Sequence, residues 1–280
     1  MQATVIELND TIRLNSLVDY LEGRYGVYFE FTFTYDVEVG KDEVIITAKK
    51  TGINGPGKVS RRIPKDTDVT LGLLMELIGE VYDKACRVES VIGIKGFGSD
   101  WTCRDFQYEL GKTYRIDDLP VVCEHGFHFC TTPIECTNYY NIMEGSKYAL
   151  VIAKNALIDL ETSRGFTSSK VASNTIELVC DITDVYLRCL AQLYLTTAYS
   201  VQGFLVSRHN LEKFTEMLRR EIYDKCPDSR EYLEAVPFGV VSGLGNTMNS
   251  RNAQRMAYNF SPITQGIAAG DVAPLLNPPV

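Results

Sequence analysis

The chain has 280 residues, of which 45% are hydrophobic and 10% aromatic, as in an ordinary folded protein with one large or two modest cores. Its formal net charge of −8 argues against nucleic acid as a partner, because affinity for phosphates depends on clustered Lys and Arg. No apolar run reaches the ~18 residues of a membrane span, and the N-terminus lacks a signal-peptide pattern, so we expect a cytoplasmic protein without a membrane partner.

The first predicted region, residues 1–90, is a small α+β module. A helix is expected over residues 10–23, bounded by an N-cap identity and a glycine stop. Alternating residues over 28–39 and 43–49 predict two strands joined by a short turn. After a loop at 52–57, apolar residues at helical spacing predict a second helix with the stripe Leu71, Leu74, Ile78, Val81, Tyr82 and Ala85.

The segment CEHGFHFCTTPIECTNYY, from Cys123 to Tyr140, has the most recognisable chemical geometry. It opens with a predicted strand in which Phe127 and Phe129 point to one face while His128 and Cys130 point to the other. We expect the phenylalanine face to be core and the opposite face to be polar.

A helix is expected to follow this strand. Thr132 has the identity of an N-cap, Pro133 suits the first helical position, and Glu135 stands where a capping box places its carboxylate. On a helix that starts at Pro133, Cys136 and Tyr140 share a face, with Tyr139 close beside them. The strand and the helix would frame a shallow pocket.

This segment resembles the nicotinamide pocket of ADP-ribosyltransferases of the diphtheria-toxin and poly(ADP-ribose) polymerase type. The Gly-Ile-Tyr-Phe motif of that family is matched by Gly126–Phe129, and its Asn-Tyr pair by Asn138–Tyr139 without a gap. The opening His-Gly of the family corresponds to Lys95–Gly96. The resemblance implies that Tyr139 stacks on the nicotinamide of NAD. It implies the following cofactor-binding residues: Gly96, Phe129, Cys136, Tyr139 and Tyr140.

A third piece of sequence, VCDITDVYLRCLAQL from Val179, resembles the last strand and following helix of the same family. This register places the catalytic glutamate of the family at Ile176. The adjacent Glu177 would face the opposite side of the strand unless a bulge or a one-residue slip in the alignment turned it inward. The candidate catalytic residues are therefore Lys95, His128 and Glu177. Losing one electrostatic transition-state contact costs roughly 3 to 4 kcal/mol, so the altered triad favours an inherited fold over an inherited activity.

The resemblance implies an α+β, split β-sandwich domain over residues 91–200. Strands are expected at Tyr148–Ala153 and Thr175–Asp181. The polar stretch Glu161–Ser173 between them is either a loop over the pocket or an ordinary surface loop.

A second resemblance covers about Ile92 to Ile182. The runs KGF, CRDFQYELGKTY, CEHGFHFCTTP and NYY are similar to an uncharacterised domain that is common in bacteriophage and prophage genomes. It implies a viral or prophage origin, hence the host cytoplasm or the virion as location, and it implies no activity.

The eight cysteines are interpreted as free buried thiols rather than as disulfides. The alternative is a zinc site at Cys123, His125, His128 and Cys130. Ligands at odd spacing on an extended strand face opposite sides, so no metal site is expected.

Each candidate residue also has a purely structural interpretation. Lys95 would be a solvated lysine at a strand end. His128 would be a half-buried residue bonded to backbone. Tyr139 and Tyr140 would be core aromatics. Glu177 would be an exposed strand residue.

The last region, residues 201–280, is expected to contain one helix and an extended tail. The helix starts near Asn210 and carries the apolar stripe Leu211, Phe214, Met217, Leu218 and Ile222. Residues 242–280 are rich in Gly, Asn and Ser and have too few apolar residues at regular spacing to form a core alone. We expect this tail to lie against a protein partner, either a phage particle or another copy of the chain, through the anchors Val272, Leu275, Leu276 and Val280.

Two hypotheses of function follow. The first is a structural or interaction protein of a bacteriophage particle or infected cell, built on a catalytically degenerate ADP-ribosyltransferase-like fold, with no certain cofactor. The second is an active NAD-dependent ADP-ribosyltransferase that modifies a host protein.

Overall fold

The computed structural model describes residues 34–64, 71–140, 145–160, 169–198 and 208–235. These residues form a mixed α+β structure, which is the expected class. The strands are β1 (Thr34–Val39), β2 (Glu43–Gly52), β3 (Gly55–Pro64), β4 (Arg87–Phe97), β5 (Thr102–Cys103), β6 (Phe106–Gln107), β7 (Thr113–Arg115), β8 (Phe127–Cys130), β9 (Lys147–Leu160), β10 (Lys170–Ser173) and β11 (Thr175–Asp181). The α-helices are α1 (Leu71–Cys86), α2 (Thr183–Ala198), α3 (Arg208–Lys225) and α4 (Arg230–Ala235), with 3-10 helices at Pro133–Asn138 and Pro227–Ser229.

Several predicted elements lie outside the described residues. They are the first helix at 10–23, the beginning of the first strand at 28–33, most of the polar stretch 161–173, and the tail at 242–280. No helix in the described part of the chain is long and apolar enough to cross a membrane.

The chain divides into two compact units, each made of separate segments. Unit 1 comprises Met1–Ser90, Arg115–His128 and Lys154–Ile176, and unit 2 comprises Val91–Tyr114, Phe129–Ala153 and Glu177–Val280. Five strands contribute residues to both units: β4, β7, β8, β9 and β11.

Unit 1 contains a three-stranded antiparallel sheet in the order β1-β2-β3. The first hairpin confirms the predicted strand pair, and its turn is closed by the Gly40 N–H, which donates to the Glu43 carbonyl at 2.8 Å. The predicted loop at 52–57 is wrong. Strands β2 and β3 pair up to Gly52 and Gly55, so a two-residue turn joins them.

The glycines of this hairpin serve close packing against α1. A Cβ on Gly52 would lie 2.3 Å from the Ala85 carbonyl oxygen, and a Cβ on Gly57 would lie 2.9 Å from the Ala85 Cβ. Gly55 has a φ of +90°, which the turn requires. The glycine-rich composition that suggested a loop therefore reflects a tight turn and a close sheet–helix contact.

Helix α1 covers the sheet with the predicted apolar stripe, of which Ile78, Val81, Tyr82 and Ala85 are buried. Unit 1 also buries an ion pair beside Tyr82. The Lys50 Nζ donates to the Asp159 Oδ1 at 2.7 Å, and both side chains are fully buried. The Val122 N–H donates to the Asp159 Oδ2 at 3.0 Å, so each carboxylate oxygen has a donor.

A six-stranded sheet has the order β10-β8-β4-β9-β11-β7, with a further pairing of β10 with β9. Strand β9 confirms the strand predicted at Tyr148–Ala153 but is more than twice as long, and β11 has the predicted bounds. Asn155 lies within β9 at a φ of +47°, a conformation that asparagine tolerates better than most residues.

The core of unit 2 lies between strands β4, β8 and β9 and the helices α2 and α3. Its largest buried residues include Tyr148, Tyr186 and Phe214, and the Tyr186 hydroxyl donates to the Pro133 carbonyl at 2.5 Å. Helix α3 begins at Arg208, two residues before the predicted cap, and buries Phe214, Leu218 and Ile222 from the predicted stripe.

The interpretation of all cysteines as free thiols is wrong for one pair. Cys180 in β11 forms a disulfide with Cys226, which follows α3. The other six cysteines are free: Cys86, Cys103, Cys123, Cys130, Cys136 and Cys189. Pairing across 46 residues depends on how α3 returns to the sheet, which residue spacing does not reveal.

The α-helix predicted from Pro133 is also wrong in type. The segment is a six-residue 3-10 helix, in which Thr132 is extended and makes no side-chain capping bond. The Glu135 N–H donates instead to the Thr132 carbonyl at 3.1 Å. Thr132 and Pro133 correctly predicted where the helix begins. Because a 3-10 helix is wound more tightly than an α-helix, different side chains after Pro133 share a face.

Candidate functional site

The candidate site of unit 2 is centred on Lys95 in β4. The side chain is not the solvated lysine of a strand end, because only 3% of Lys95 is exposed. All residues from Val91 to Phe97 are buried, so this half of β4 is covered on both faces. A lysine in such a strand has to find its contacts inside the protein.

Lys95 lies among sulfur and aromatic groups. Its Nζ donates to the Cys103 Sγ at 3.5 Å. The same nitrogen lies 5.4 Å from the ring centre of Phe97 and 5.2 Å from that of Tyr108, both within the range of cation–π attraction.

A tight turn after β4 brings Cys103 back to Lys95. The Gly98 N–H donates to the Thr102 carbonyl at 2.7 Å, and the Trp101 N–H donates to the Gly98 carbonyl at 3.2 Å. Asp100 accepts hydrogen bonds from both the N–H and the hydroxyl of Thr102. The turn therefore reverses the chain and lays β5, with Cys103, beside the strand that carries Lys95.

Tyr140 completes the group of side chains that we call the Lys95 cluster: Lys95, Cys103, Tyr108 and Tyr140. The Tyr140 hydroxyl donates to the Cys103 Sγ at 2.8 Å. Its ring lies on Gly96, where an added Cβ would come within 2.4 Å of the tyrosine Cδ2. A side chain at this position in β4 would displace the ring, so Gly96 is required by Tyr140.

The electrostatics of the cluster follow from burial. Burial lowers the pKa of Lys95, and the Cys103 sulfur partly opposes this shift. Burial raises the pKa of the Tyr140 hydroxyl, and its hydrogen bond to Cys103 raises it further. The tyrosine is therefore protonated at neutral pH and available as a donor, while the lysine gives up its proton more readily than a solvated lysine does.

The predicted cofactor residues occupy different environments. Gly96 and Tyr140 meet as described, and Cys136 is buried in the core of unit 2. Phe129 is also buried, with its ring against Gly93. Tyr139, which the resemblance placed on nicotinamide, is 46% exposed. The register of the 3-10 helix thus directs Tyr140, and not Tyr139, onto Gly96.

His128 belongs to unit 1 and is half-buried. Its Nε2 accepts a hydrogen bond from the Cys123 N–H at 2.9 Å, as the structural interpretation of this residue proposed. The Lys170 Nζ donates to the Cys123 Sγ at 3.2 Å. Cys130, predicted on the same polar face as His128, is instead buried, so the prediction of a polar face is wrong at Cys130.

Glu177 lies in β11, where it pairs with Ile152. Ile176 and Leu178 are fully buried, whereas Glu177 between them is half-buried. The strand has an irregularity, but it falls between Leu178 and Cys180. It does not reverse the alternation at Ile176 and Glu177, so the glutamate side chain lies on the face opposite to the buried isoleucine.

Sequence reasoning did not identify Cys103 and Tyr108 as parts of a site. The available signal was the run GSDWTC after β4, in which Gly98 and Asp100 are typical of a chain reversal. Such a turn places residues on its far side next to the strand before it. No group of three or more His, Cys, Asp or Glu residues suited to a metal ion occurs among the described residues.

Comparison with known proteins gives one match. Residues 91–185 match the family model described as a domain of unknown function, DUF7666. The match covers about a third of the 280 residues and includes the whole Lys95 cluster. No curated protein and no solved structure matches the chain significantly.

Proposed function

We propose that the protein is a non-catalytic structural or interaction protein of a bacteriophage particle or infected cell. In this proposal its central domain is a degenerate form of the ADP-ribosyltransferase fold, with the split, bent two-sheet arrangement of that family. The fold carries binding surfaces and no longer cleaves NAD.

One observation carries the proposal. By the resemblance, nicotinamide would stack on a tyrosine beside the glycine of the His-Gly motif, which corresponds to Gly96. The space on Gly96 is filled by the ring of Tyr140, since even a Cβ there would lie 2.4 Å from the ring. A ligand ring cannot occupy the same space without moving this tyrosine, whose hydroxyl is held by Cys103 at 2.8 Å.

The candidate catalytic groups support the same conclusion. The position of the catalytic glutamate corresponds to Ile176, which is fully buried, and Glu177 lies on the opposite face of β11. Lys95, at the position of the family histidine, is enclosed by sulfur and aromatic contacts. Catalysis by this fold depends on electrostatic stabilisation of a cationic sugar, for which an isoleucine supplies nothing.

The association with phage rests on the sequence resemblance over Ile92–Ile182, and the association with a partner rests on the composition of the tail. Ordering residues 242–280 costs roughly 1 to 2 kcal/mol per residue, which a segment of this Gly, Asn and Pro content does not offset without outside contacts. In this proposal the tail docks on a phage particle or on another copy of the chain through Val272, Leu275, Leu276 and Val280.

Truncation after Val241 tests this part of the proposal. In cells that produce the phage, the full chain should cosediment with particles or assembly intermediates, and the truncated chain should remain in the unassembled fraction. The truncated protein should retain its thermal unfolding midpoint. A control that replaces the four apolar anchors by serine should behave like the truncation. Normal assembly of the truncated chain would contradict the proposal.

The second candidate function, an active NAD-dependent ADP-ribosyltransferase, is favoured by one specific observation. Strand β4 pairs with β8 at Ile94 and Cys130, so the strands that carry the first two motif pieces are neighbours. In this alternative Lys95, His128 and Glu177 would act on NAD. It requires that Tyr140 swing away from Gly96 when NAD binds. Calorimetric titration with NAD distinguishes the two, because the alternative requires measurable heat of binding.

A further inference from the structure

The Lys95 cluster has the geometry of a covalent modification site. Its two potential nucleophiles, the Lys95 amine and the Cys103 thiol, lie 3.5 Å apart. Only 3% of Lys95 is exposed, whereas Cys103 is half-buried. Cys103 is therefore the residue of the pair that lies nearer to a small reagent in solvent, and the lysine amine is the neighbour of its sulfur.

Two donors converge on the same sulfur atom. The Tyr140 hydroxyl lies 2.8 Å and the Lys95 Nζ 3.5 Å from the Cys103 Sγ. They orient the sulfur and place an amine directly beside it. Cys130 and Cys136 also lie close enough to Lys95 to affect its pKa, but each is only 2% exposed. Among these three cysteines, Cys103 is the one that is not fully buried.

We propose that Cys103 is oxidised by hydrogen peroxide or a small organic hydroperoxide and that the Lys95 amine captures the product as a covalent lysine–cysteine cross-link. This inference is independent of the proposed function. It assigns to the central domain a peroxide-responsive bond between β4 and β5.

The chemistry takes two steps. In the first, the Cys103 sulfur attacks one peroxide oxygen, the O–O bond breaks, and the thiol becomes a sulfenic acid with release of one water or alcohol. In the second, the neutral Lys95 amine attacks the sulfur, an S–N bond forms, and the S–O and one N–H bond break with release of a second water. The thiol and amine together lose two electrons and two protons, and the peroxide is reduced.

The low intrinsic basicity of a buried amine favours the second step. A lysine reacts with sulfur only through its lone pair, which the ammonium form lacks. Burial lowers the pKa of Lys95, so a larger fraction of this side chain is neutral than for a solvated lysine at the same pH. Capture by Lys95 should therefore accelerate as the pH rises through the neutral range.

Trypsin provides a direct readout, because it does not cleave after a modified lysine. Untreated protein should give two separate peptides from this segment, Val88–Lys95 and Gly96–Arg104. After treatment of the full chain with a few equivalents of hydrogen peroxide and digestion without reductant, we expect the uncleaved peptide Val88–Arg104. Its mass should be about 2 Da below that of the unmodified sequence, because two hydrogens are lost. Dithiothreitol should restore cleavage.

Two variants and one trapping reagent provide the controls. Lys95→Met keeps most of the side-chain volume and removes the amine, so Cys103 should proceed to sulfinic acid. Lys170→Met removes the other amine that contacts a cysteine, Cys123 at 3.2 Å, and should leave the cross-link intact. In the unaltered chain, a cyclic 1,3-dione that traps sulfenic acids should label Cys103 and abolish the uncleaved peptide. This last control remains informative if Lys95→Met does not fold.

Three results would overturn the proposal. One is complete cleavage after Lys95 although Cys103 is oxidised. Another is a Cys103–Cys136 disulfide as the main product. The third is an uncleaved peptide that persists at the same level when the sulfenic acid is trapped.

Discussion

Removing the disulfide should destabilise the protein by far more than removing a buried free thiol. Cys226→Ala breaks the bond to Cys180, which joins the end of β11 to the residue after α3. The matched control is Cys189→Ala, because Cys189 is a free cysteine with only 2% exposure. Both variants lose one sulfur from the core of unit 2, and only the first loses a cross-link.

The expected magnitude follows from the length of the loop that the bond closes. The two cysteines are 46 residues apart, for which the loss of unfolded-chain entropy corresponds to about 4 kcal/mol at 25 °C. The control should cost only about 1 to 2 kcal/mol from loss of packing. The free energy of unfolding of Cys226→Ala should therefore be about 4 kcal/mol lower than that of Cys189→Ala, and this difference is the contribution of the cross-link.

Urea unfolding measures this difference. With a slope of roughly 1 to 3 kcal/mol per molar urea, the urea midpoint of Cys226→Ala should lie more than about 1 M below that of Cys189→Ala. Reductant should lower the urea midpoint of the unaltered chain by a similar amount. Denatured protein without reductant should titrate as six thiols. Titration as eight thiols, or equal midpoints for oxidised and reduced protein, would refute the reasoning.

Three further predictions concern the buried charges and the Gly96–Tyr140 contact. Asp159→Asn should lower the free energy of unfolding by about 3 to 5 kcal/mol, because it leaves the Lys50 ammonium buried without its counter-charge. The folded pKa of Lys50 is raised, so the contribution of this ammonium to the stability of the unaltered chain should be present below pH 10.5 and lost as the pH rises through the folded pKa. Thermal unfolding at several pH values measures this loss. Gly96→Ala should cost about 1 to 3 kcal/mol through its clash with Tyr140, and Tyr140→Ala should remove that additional cost in a double-mutant cycle. Lys95→Met should leave the stability at pH 7 unchanged or raised, because the lowered folded pKa of Lys95 means that the ammonium form is less favourable in the folded protein than in the unfolded chain. A large loss of stability at pH 7 would contradict this explanation.

The elements that sequence predicted well are those fixed by local periodicity. Helix α1, the β1–β2 hairpin and β11 each have a pattern of apolar residues that the structure uses. Helix α3 begins two residues before its predicted cap, and Phe214, Leu218 and Ile222 of its predicted stripe are buried in the core of unit 2. Such patterns record which face is buried and need no knowledge of the partner element.

The errors arise where a distant contact decides the outcome. Gly52 and Gly57 suggested a loop, because glycine is common in loops. Their actual role is to let the hairpin pack closely on Ala85, and the pattern of residues around each glycine does not reveal so distant a partner. Cys180 and Cys226 gave no local signal of pairing. The 3-10 form of Pro133–Asn138 changes the register of the side chains after it, and start signals do not distinguish the two helix types.

The candidate site shows both outcomes. Lys95, Gly96 and Tyr140 were candidate site residues by the resemblance, and they lie together in the structure: Lys95 and Tyr140 both contact Cys103, and the Tyr140 ring lies on Gly96. Cys103 itself was missed, because its position depends on a reversal of the chain after β4. The burial of Lys95 was also missed, since lysine is almost never buried and residue type alone predicts a solvated side chain.

Release of nicotinamide from NAD tests the central claim most directly. We expect that purified full-length protein, incubated with NAD and with extracts as a source of acceptor proteins, releases nicotinamide no faster than the same mixture without the protein and does not modify itself. The physical reasons are that the proposed resemblance puts the buried Ile176 where the family has its catalytic carboxylate, and that the Tyr140 ring lies on Gly96. Release above the control that disappears in Glu177→Gln would contradict the account and identify Glu177 as the working carboxylate.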